Sequence, residues 1–342
     1  MPPRVVLYGA TGHTGRFIAG EMQARRWAPL LAGRDLAKLN PMASRHGAQA
    51  MAAEVTDRVA LDRLLAGADA VINAAGPFAD TSPYLIEAAI RAGIPYFDVT
   101  AEPFVARDLF DTYDESARRA GIIVAPAFAF FGALGDLLVT AAATGWDEID
   151  SIDLAFALDR WRPTTGTRLA GARRAGRRLI LADRQFVVRD PSEPVPRGTW
   201  RFGQPFGEQP MIGEFSTVDV VTVGQHIPVG RMATWINEAP IADLTAADPS
   251  GPEAIDDSGR SAQQFRIEAV VRRGSEERRA VLSGLDVYAI TAPIVCEAVA
   301  WTLAGRARAT GARSAGELFD ANAFLGALSP DPLTVTIPEL VA

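Results

Sequence analysis

Short apolar runs alternate with amphipathic stretches through the first 125 or so residues. The runs at 4–8, 29–32, 48–52, 70–73, 95–99 and 122–125 are too short for buried helices and predict strands. The intervening stretches at 14–25, 35–46, 57–66, 82–92 and 104–120 carry helical periodicity. Val5–Tyr8 and Ala70–Asn73 are almost wholly apolar, as strands of a parallel sheet covered on both faces must be. Strict alternation of strand and helix predicts a doubly wound sheet with right-handed crossovers. Punctuation agrees: Asp35, Asp57 and Ser82 are placed to open helices, and Gly47, Gly93 and Gly121 to close them.

The pattern changes after Asp136. Ile152, Leu154, Phe156 and Leu158 alternate with Asp153, Ala155 and Ala157, the period of a half-buried strand. An arginine-rich helical stretch covers 166–178, and strand-like runs recur at 184–189, 217–223, 232–237, 264–273 and 278–286. Gly274-Ser275 joins the last two runs as a hairpin. The stretch 243–262, rich in Asp, Ala, Ser, Pro and Gly, predicts a loop, and 291–303 and 314–328 predict C-terminal helices. The fold class expected is therefore α/β: an N-terminal Rossmann domain over 1–135, and an α+β domain of largely antiparallel sheet over 136–288. The C-terminal helices over 289–342 are expected to pack back on the first domain.

The chemistry concentrates where the first strand ends. Gly9-Ala10-Thr11-Gly12-His13-Thr14-Gly15 lies between a strand and a helix, the arrangement that holds a dinucleotide pyrophosphate. Gly9 permits the tight turn, Gly12 lets backbone approach the phosphates, and Gly15 lets the helix pack closely. The helix N-terminus offers N–H groups and a positive dipole end to the anion, with Thr11, His13 and Thr14 beside it. The second strand ends in Gly33-Arg34-Asp35 where an NAD site usually carries an acid. Arg34 and Lys38 suit the 2′-phosphate of NADP instead, and the arrangement favours NADP over NAD. The turn Asn73-Ala74-Ala75-Gly76-Pro77-Phe78 lies at the carboxyl edge of the sheet. Asn73, Ala74, Gly76, Pro77 and Phe78 are expected beside the nicotinamide.

Asp98 and Glu102 lie near the same edge and are the candidate acids for proton transfer. Thr165-Gly166-Thr167 opens the arginine-rich helix and is the candidate seat of a substrate carboxylate, against the plain alternative of a helix cap. His226 is a further possible proton donor, although a lone histidine is more often structural. No spacing suits a metal site.

Net charge and cysteine count narrow the class. A formal charge of −7 argues against general nucleic-acid binding. The single cysteine, Cys296, excludes an intramolecular disulfide framework and fits a reducing cytoplasm. Its apolar neighbours predict a packing role. No leader peptide or integral membrane segment is expected, because the apolar run 121–145 is broken by Pro126, Gly132 and Gly135. A small-molecule substrate is expected, and unpaired sheet edges make a homodimer plausible.

Assembled, these residues resemble the saccharopine dehydrogenase-like oxidoreductase superfamily, and trans-acting enoyl reductases more than lysine-pathway enzymes. The resemblance is carried by Gly-Ala-Thr-Gly-His-Thr-Gly at 9–15, Ala-Gly-Arg-Asp at 32–35, Val-Ile-Asn-Ala-Ala-Gly-Pro-Phe at 71–78, and Tyr-Phe-Asp-Val-Thr-Ala-Glu at 96–102. Gly-Ile-Ile-Val-Ala-Pro at 121–126 and Asp136-Leu137 extend it. It implies an NADP(H)-dependent reductase or dehydrogenase acting on a C=C, C=N or C=O group. Three departures lie where the family has its substrate site: Ala101 for Gly, Ala129-Phe130-Phe131 for Gly-Phe-Asp, and Leu134-Gly135 for Pro-Ser. They imply a more apolar substrate or lost activity. The alternatives are a non-catalytic NADP-binding sensor and a saccharopine-type amino-acid dehydrogenase. The latter needs Arg168, Arg173 and Arg174 to face the substrate.

Overall fold

The computed structural model describes residues 1–174, 176–245 and 250–337. The expectations for 175, 246–249 and 338–342 lie outside the described residues. Elements run in chain order β1 (Arg4–Tyr8), α1 (His13–Ala24), β2 (Ala28–Gly33), α2 (Leu36–His46), β3 (Gln49–Ala52), α3 (Arg58–Leu65), β4 (Ala70–Asn73), α4 (Phe78–Ala92), β5 (Tyr96–Asp98), α5 (Pro103–Ala120) and β6 (Ile123–Ala125). They continue with α6 (Ala133–Ala142), β7 (Ile149–Leu158), α7 (Thr165–Arg174), β8 (Arg178–Ala182), β9 (Gln185–Arg189), β10 (Arg197–Arg201), β11 (Glu208–Gly213), α8 (Asp219–Gly224), β12 (Val229–Asn237) and α9 (Glu238–Thr245). The last are β13 (Gln264–Arg273), β14 (Glu276–Leu285), α10 (Thr291–Leu303), β15 (Gly311–Ala312), α11 (Ala315–Leu318), α12 (Ala321–Ala327) and β16 (Leu333–Thr336).

The chain divides into two compact units. One holds 1–101, 105–129 and 288–318; the other holds 102–104, 130–287 and 319–342. The division falls at 129/130 and 287/288, against the expected 135/136 and 288/289; of the C-terminal elements α10 and β15 fall in the first unit, whereas α12 and β16 fall in the second.

In the first unit, seven parallel strands form one sheet in the order β15-β6-β5-β4-β1-β2-β3. Strand β1 is central, and β2 and β4 leave it in opposite directions. The order reverses there, the point at which open α/β sheets take ligands. Val5, Val6, Leu7, Leu31, Val71, Ile72 and Phe97 are fully buried between the helical layers. The Asp35 and Asp57 carboxylates cap α2 and α3, and Gly47 and Gly93 end helices in the left-handed conformation. Ser82 does not cap. Helix α4 already starts at Phe78, and Ser82 lies inside it with its hydroxyl turned into the core. Cys296 is fully buried on α10, and burial pushes its thiol well above the usual range, so it packs rather than reacts.

The second unit is built on a mixed, largely antiparallel sheet in the order β10-β11-β12-β7-β13-β14-β16, with β8 pairing β12 and β9. Its one parallel ladder joins β7 and β12. The long hairpin β13–β14 turns at Gly274-Ser275. Helix α6 is buried along nearly its whole length, with Leu134, Leu137 and Leu138 inaccessible to solvent. Each such side chain contributes about 1.5–3 kcal/mol of burial.

The stretch 217–223 corrects the sequence reading: it forms helix α8, not a strand. Its β-branched residues fit a strand, yet tertiary bonds decide otherwise. Asp219 accepts from the Gly132 N–H at 3.0 Å, and the Thr222 hydroxyl donates to the Gly132 carbonyl at 3.3 Å. Asp219 thus supplies the missing cap of α6, whose own cap residue, Gly132, bears no side chain. Strands β8, β10, β11 and β16 also escaped the pattern analysis.

Gly135 is obligatory for this junction, because a Cβ there would overlap the Asp219 carboxylate. Gly135→Ala should lower stability by about 2–4 kcal/mol. In Gly135→Ala/Asp219→Ala the two effects should fall short of additivity by about 1 kcal/mol or more. Urea denaturation of the four proteins measures this; strict additivity would mean that the two side chains do not compete for one space.

Candidate functional site

In the first unit the turns after β1 and β4 are pressed together at the point of strand reversal. Tyr8 and Asn73 are register partners, and the Ala74 N–H donates to the Tyr8 carbonyl at 2.8 Å. Gly9 has φ +83, and a Cβ on it would lie 2.6 Å from the Ala75 nitrogen. Gly9 and Ala10 N–H groups both reach the Ala32 carbonyl, tying the same turn to the end of β2. A Cβ on Gly15 would overlap the Gly9 and Ala10 carbonyls, so Gly15 brings α1 down onto the turn.

Gly12 differs from these. A Cβ there would meet only the Gly9 carbonyl oxygen, at 3.2 Å, and otherwise nothing nearer than 3.9 Å. The fold presses on this position less than on Gly9 or Gly15, and its backbone is open to close approach by a phosphate. Gly12 also begins α1 with no side-chain cap, which leaves the helix start to backbone N–H groups. The residues present therefore fit a dinucleotide pyrophosphate, with Thr11 and Thr14 flanking the approach. The His13 ring stands edge-on to Phe17 and Tyr288, each 5.2 Å away, so its part in the turn falls to its backbone.

At the end of β2, Asp35 is occupied as a helix cap. Its carboxylate accepts from the Ala37 and Lys38 N–H groups at 3.0 and 3.3 Å and pairs with the exposed Lys38 ammonium at 3.5 Å. Arg34 is exposed. Its charge acts on the Tyr8 hydroxyl, which donates to the Ala53 carbonyl at 3.0 Å. Burial, with the Glu54 charge adding, pushes that hydroxyl up to about 12. Tyr8, Glu54 and Tyr288 are the residues of this region that sequence reasoning missed. A tyrosine closing an otherwise aliphatic strand was the available signal for the first.

Two sequence candidates prove to be internal struts. The Asn73 side chain, fully buried, donates to Thr81, Ser82 and Tyr96 and accepts from the Ala75 N–H at 3.0 Å. It shapes the 74–78 turn from beneath, leaving Ala74, Gly76, Pro77 and Phe78 as that turn's own surface. Asp98, a candidate acid, is likewise fully buried. It accepts from the Tyr96 and Ser82 hydroxyls at 2.8 and 3.2 Å and from the Thr100 and Ala127 N–H groups at 3.0 and 2.9 Å. Burial raises its carboxyl to about 6 in spite of these four donors. Its place is to bind the ends of β5 and β6 to α4. Glu102 is half-buried just before α5.

In the second unit, Thr164 caps α7: its hydroxyl accepts from the Thr167 N–H at 3.2 Å and meets the Thr167 hydroxyl at 3.0 Å. Thr165 and Gly166 are exposed at the start of this capped helix. His226 is held by the buried Asp136, Nε2 to Oδ1 2.6 Å, on the α6–α8 side of the unit. An aromatic cluster occupies the other end of β7. Phe131 lies 5.1 Å from Phe156, 6.0 Å from Trp161 and 6.1 Å from Phe215, between ring centroids. Phe131 and Phe215 are only half-buried. Among the described residues, no group of His, Cys, Asp and Glu could hold a metal ion, and no helix is long and apolar enough to cross a membrane.

Residues 5–124 match the saccharopine dehydrogenase NADP binding domain. A trans-acting enoyl reductase of Mycobacterium ulcerans is 27% identical over 179 residues, covering 48% of this chain and 43% of that protein. A trans-acting enoyl reductase of Mycobacterium tuberculosis is 30% identical over 144 residues, covering 40% of this chain and 34% of that protein. The chain thus spans less than half the length of these curated relatives. Among solved structures, apo saccharopine dehydrogenase (L-Glu forming) from Saccharomyces cerevisiae is similar at a TM-score of 0.66. That match covers 98% of this chain and 100% of that one, at 13% identity, a likeness of fold.

Two substitutions separate structural from ligand-binding roles. Gly12→Ala should leave stability within about 1 kcal/mol and weaken NADPH binding about tenfold or more, as a melt and a titration of one preparation will read. Asp98 makes stability depend on pH. Its folded value, about 6, exceeds the ordinary 3.8, so the folded state holds the extra proton between them. Stability from this group is greatest below about pH 4 and declines as pH rises towards 6–7, by on the order of 2–3 kcal/mol. Asp98→Asn removes the dependence. The stability difference between wild type and variant, followed by denaturation from pH 4 to 7, should fall over that range; a constant difference would mean that Asp98 does not titrate there.

Proposed function

We propose, from the premise that residues 5–124 belong to the saccharopine dehydrogenase NADP binding domain family, that this chain is an NADP(H)-dependent oxidoreductase acting on a small or apolar C=C, C=N or C=O substrate. The observation that carries the reading is the β1–β4 junction. The backbone at Gly12 is left open to a ligand there, and the acid at the end of β2 is spent on a helix cap.

Bound NADP(H) supplies the hydride; the residues of this chain supply placement and electrostatics. Gly9, Thr11, Gly12, His13, Thr14 and Gly15 present backbone to the pyrophosphate. Arg34 takes the 2′-phosphate through its planar fork, with Lys38 adding a second cation nearby. Ala74, Gly76, Pro77 and Phe78 border the nicotinamide, on a turn that Asn73 holds in shape. The half-buried rings of Phe131 and Phe215 support an apolar substrate in the second unit. Glu102 remains the candidate acid of the pair first considered. The unpaired outer edges of β10 and β16 support a homodimer, and the lone, buried Cys296 a reducing cytoplasm.

A non-catalytic NADP-binding sensor is the second reading, favoured by the withdrawal of Asp98 into a buried network. Tight NADPH binding, with no NADPH consumed in the presence of enoyl, imine and carbonyl acceptors, would decide for it.

Fluorescence titration with NADPH and NADH tests the cofactor assignment. Arg34→Ala should weaken NADPH about 10- to 100-fold, the worth of charge-assisted hydrogen bonds of ~1.5–3 kcal/mol, and leave NADH unchanged. Equal loss for both cofactors would remove Arg34 from the 2′-phosphate.

A further inference from the structure

Helix α7 and the residues after it carry five arginines with named surroundings, and four of them are accounted for. Arg168 donates to the Leu244 carbonyl at 3.2 Å. Arg173 is exposed. The exposed Arg177 lies over the Phe104 ring at 4.6 Å. Arg178 is buried and paired with Glu214 at 3.2 Å.

Arg174 is different. Its side chain is half-buried, and it pairs with no carboxylate among the described residues. One terminal nitrogen donates to the Phe215 and Ser216 carbonyls at 3.1 and 3.2 Å. The guanidinium carbon lies 5.8 Å from the centre of the Phe215 ring. The Nε atom is buried with no hydrogen-bond partner among the described residues. Glu214, the chain neighbour of Phe215, is shared between Arg178 and Arg189. Burial, and then the charge of Arg178, pull the Arg174 guanidinium below its ordinary range. A desolvated cation with a like charge beside it and an unused donor is costly to keep, unless an anion completes it. The carbonyl end of α7 offsets part of that cost.

The Phe215 ring that Arg174 flanks belongs to the aromatic cluster, in which Phe131 and Phe215 are half-buried. Its centroid is 6.1 Å from Phe131 and 6.3 Å from Trp161. An anion site therefore adjoins an apolar wall.

We infer that Arg174 seats one substrate carboxylate, with Phe131 and Phe215 receiving the flat apolar body of the same molecule. This rests on the oxidoreductase reading, which makes the second unit the substrate side. The ligand class is an apolar monocarboxylate with a conjugated, reducible double bond. A substrate with several carboxylates fits poorly, because Arg174 is the one arginine of this group that flanks a ring of that cluster among the described residues.

The test is calorimetric titration of the full chain, loaded with NADP, using trans-cinnamate and its uncharged analogue cinnamamide. Wild type should bind cinnamate at least tenfold more tightly than cinnamamide. Arg174→Gln should lose that factor for cinnamate and leave cinnamamide unchanged, and Arg174→Lys should retain part of it. NADPH affinity should stay constant in both variants. Equal binding of acid and amide by wild type overturns the inference, as does no binding of cinnamate, or a preference that survives Arg174→Gln. Should Arg174→Gln not fold, Arg174→Lys decides: an undiminished preference for the acid overturns the inference, because a lysine cannot reproduce the guanidinium fork. Failure to bind NADPH would instead overturn the oxidoreductase reading itself, so the two failures are separable.

Discussion

The contact on which the first unit depends is the approach of two turns, one after β1 and one after β4. Adjacent parallel strands set the spacing of their ends, and the Ala74 N–H bonded to the Tyr8 carbonyl fixes the register there. A side chain on Gly9 would force the turns apart, and one on Gly15 would lift α1 away from them. Two glycines thus serve the fold, whereas Gly12, between them, serves the space above it. One motif performs both tasks because the same approach of backbone that closes the fold also gathers N–H groups at the start of α1. N–H groups gathered this way can hold a phosphate with no charged side chain at the centre.

Polar struts support that contact from below. Asn73, Thr81, Ser82, Tyr96 and Asp98 form a continuous buried network linking β4, α4 and β5. Each group satisfies another, so the network holds the 74–78 turn in one shape, as fully bonded buried groups do. Asp98 in such surroundings gives up the exposure that acid–base work requires. Its raised pKa is therefore a statement about stability. The same sequence feature, an acid at the end of a strand, serves structure at Asp98 and capping at Asp35.

The alternation of strand and helix was legible because each element of the first unit is short, regular and punctuated. Asp35, Asp57, Gly47 and Gly93 act locally, and local chemistry is visible in sequence. Where long-range bonds decide, the pattern misleads. The β-branched run 217–223 becomes helix α8 because Asp219 and Thr222 bond to Gly132, some 90 positions away in the chain. Ser82 likewise sits in α4 rather than at its start, because its hydroxyl answers Asp98 from the neighbouring strand. Asn73 was placed at the right turn, but on its inner side. Neither the direction of a side chain nor its burial can be read from spacing alone.

The second unit carries the more telling asymmetry. Its arginines look alike in sequence, yet the folded chain sorts them by what lies within reach. Arg178 finds Glu214, Arg168 finds a carbonyl, and Arg177 finds an aromatic face. Arg174 is left against Phe215 with carbonyls and, among the described residues, no acid. Phe131, at the position where the resemblance leads one to expect an acid, widens this contrast. An aromatic there removes negative charge from the cluster and adds apolar surface to it. Loss of a fixed anion and burial of an unmatched cation act in the same direction: both favour a ligand that carries a single negative charge on an apolar frame.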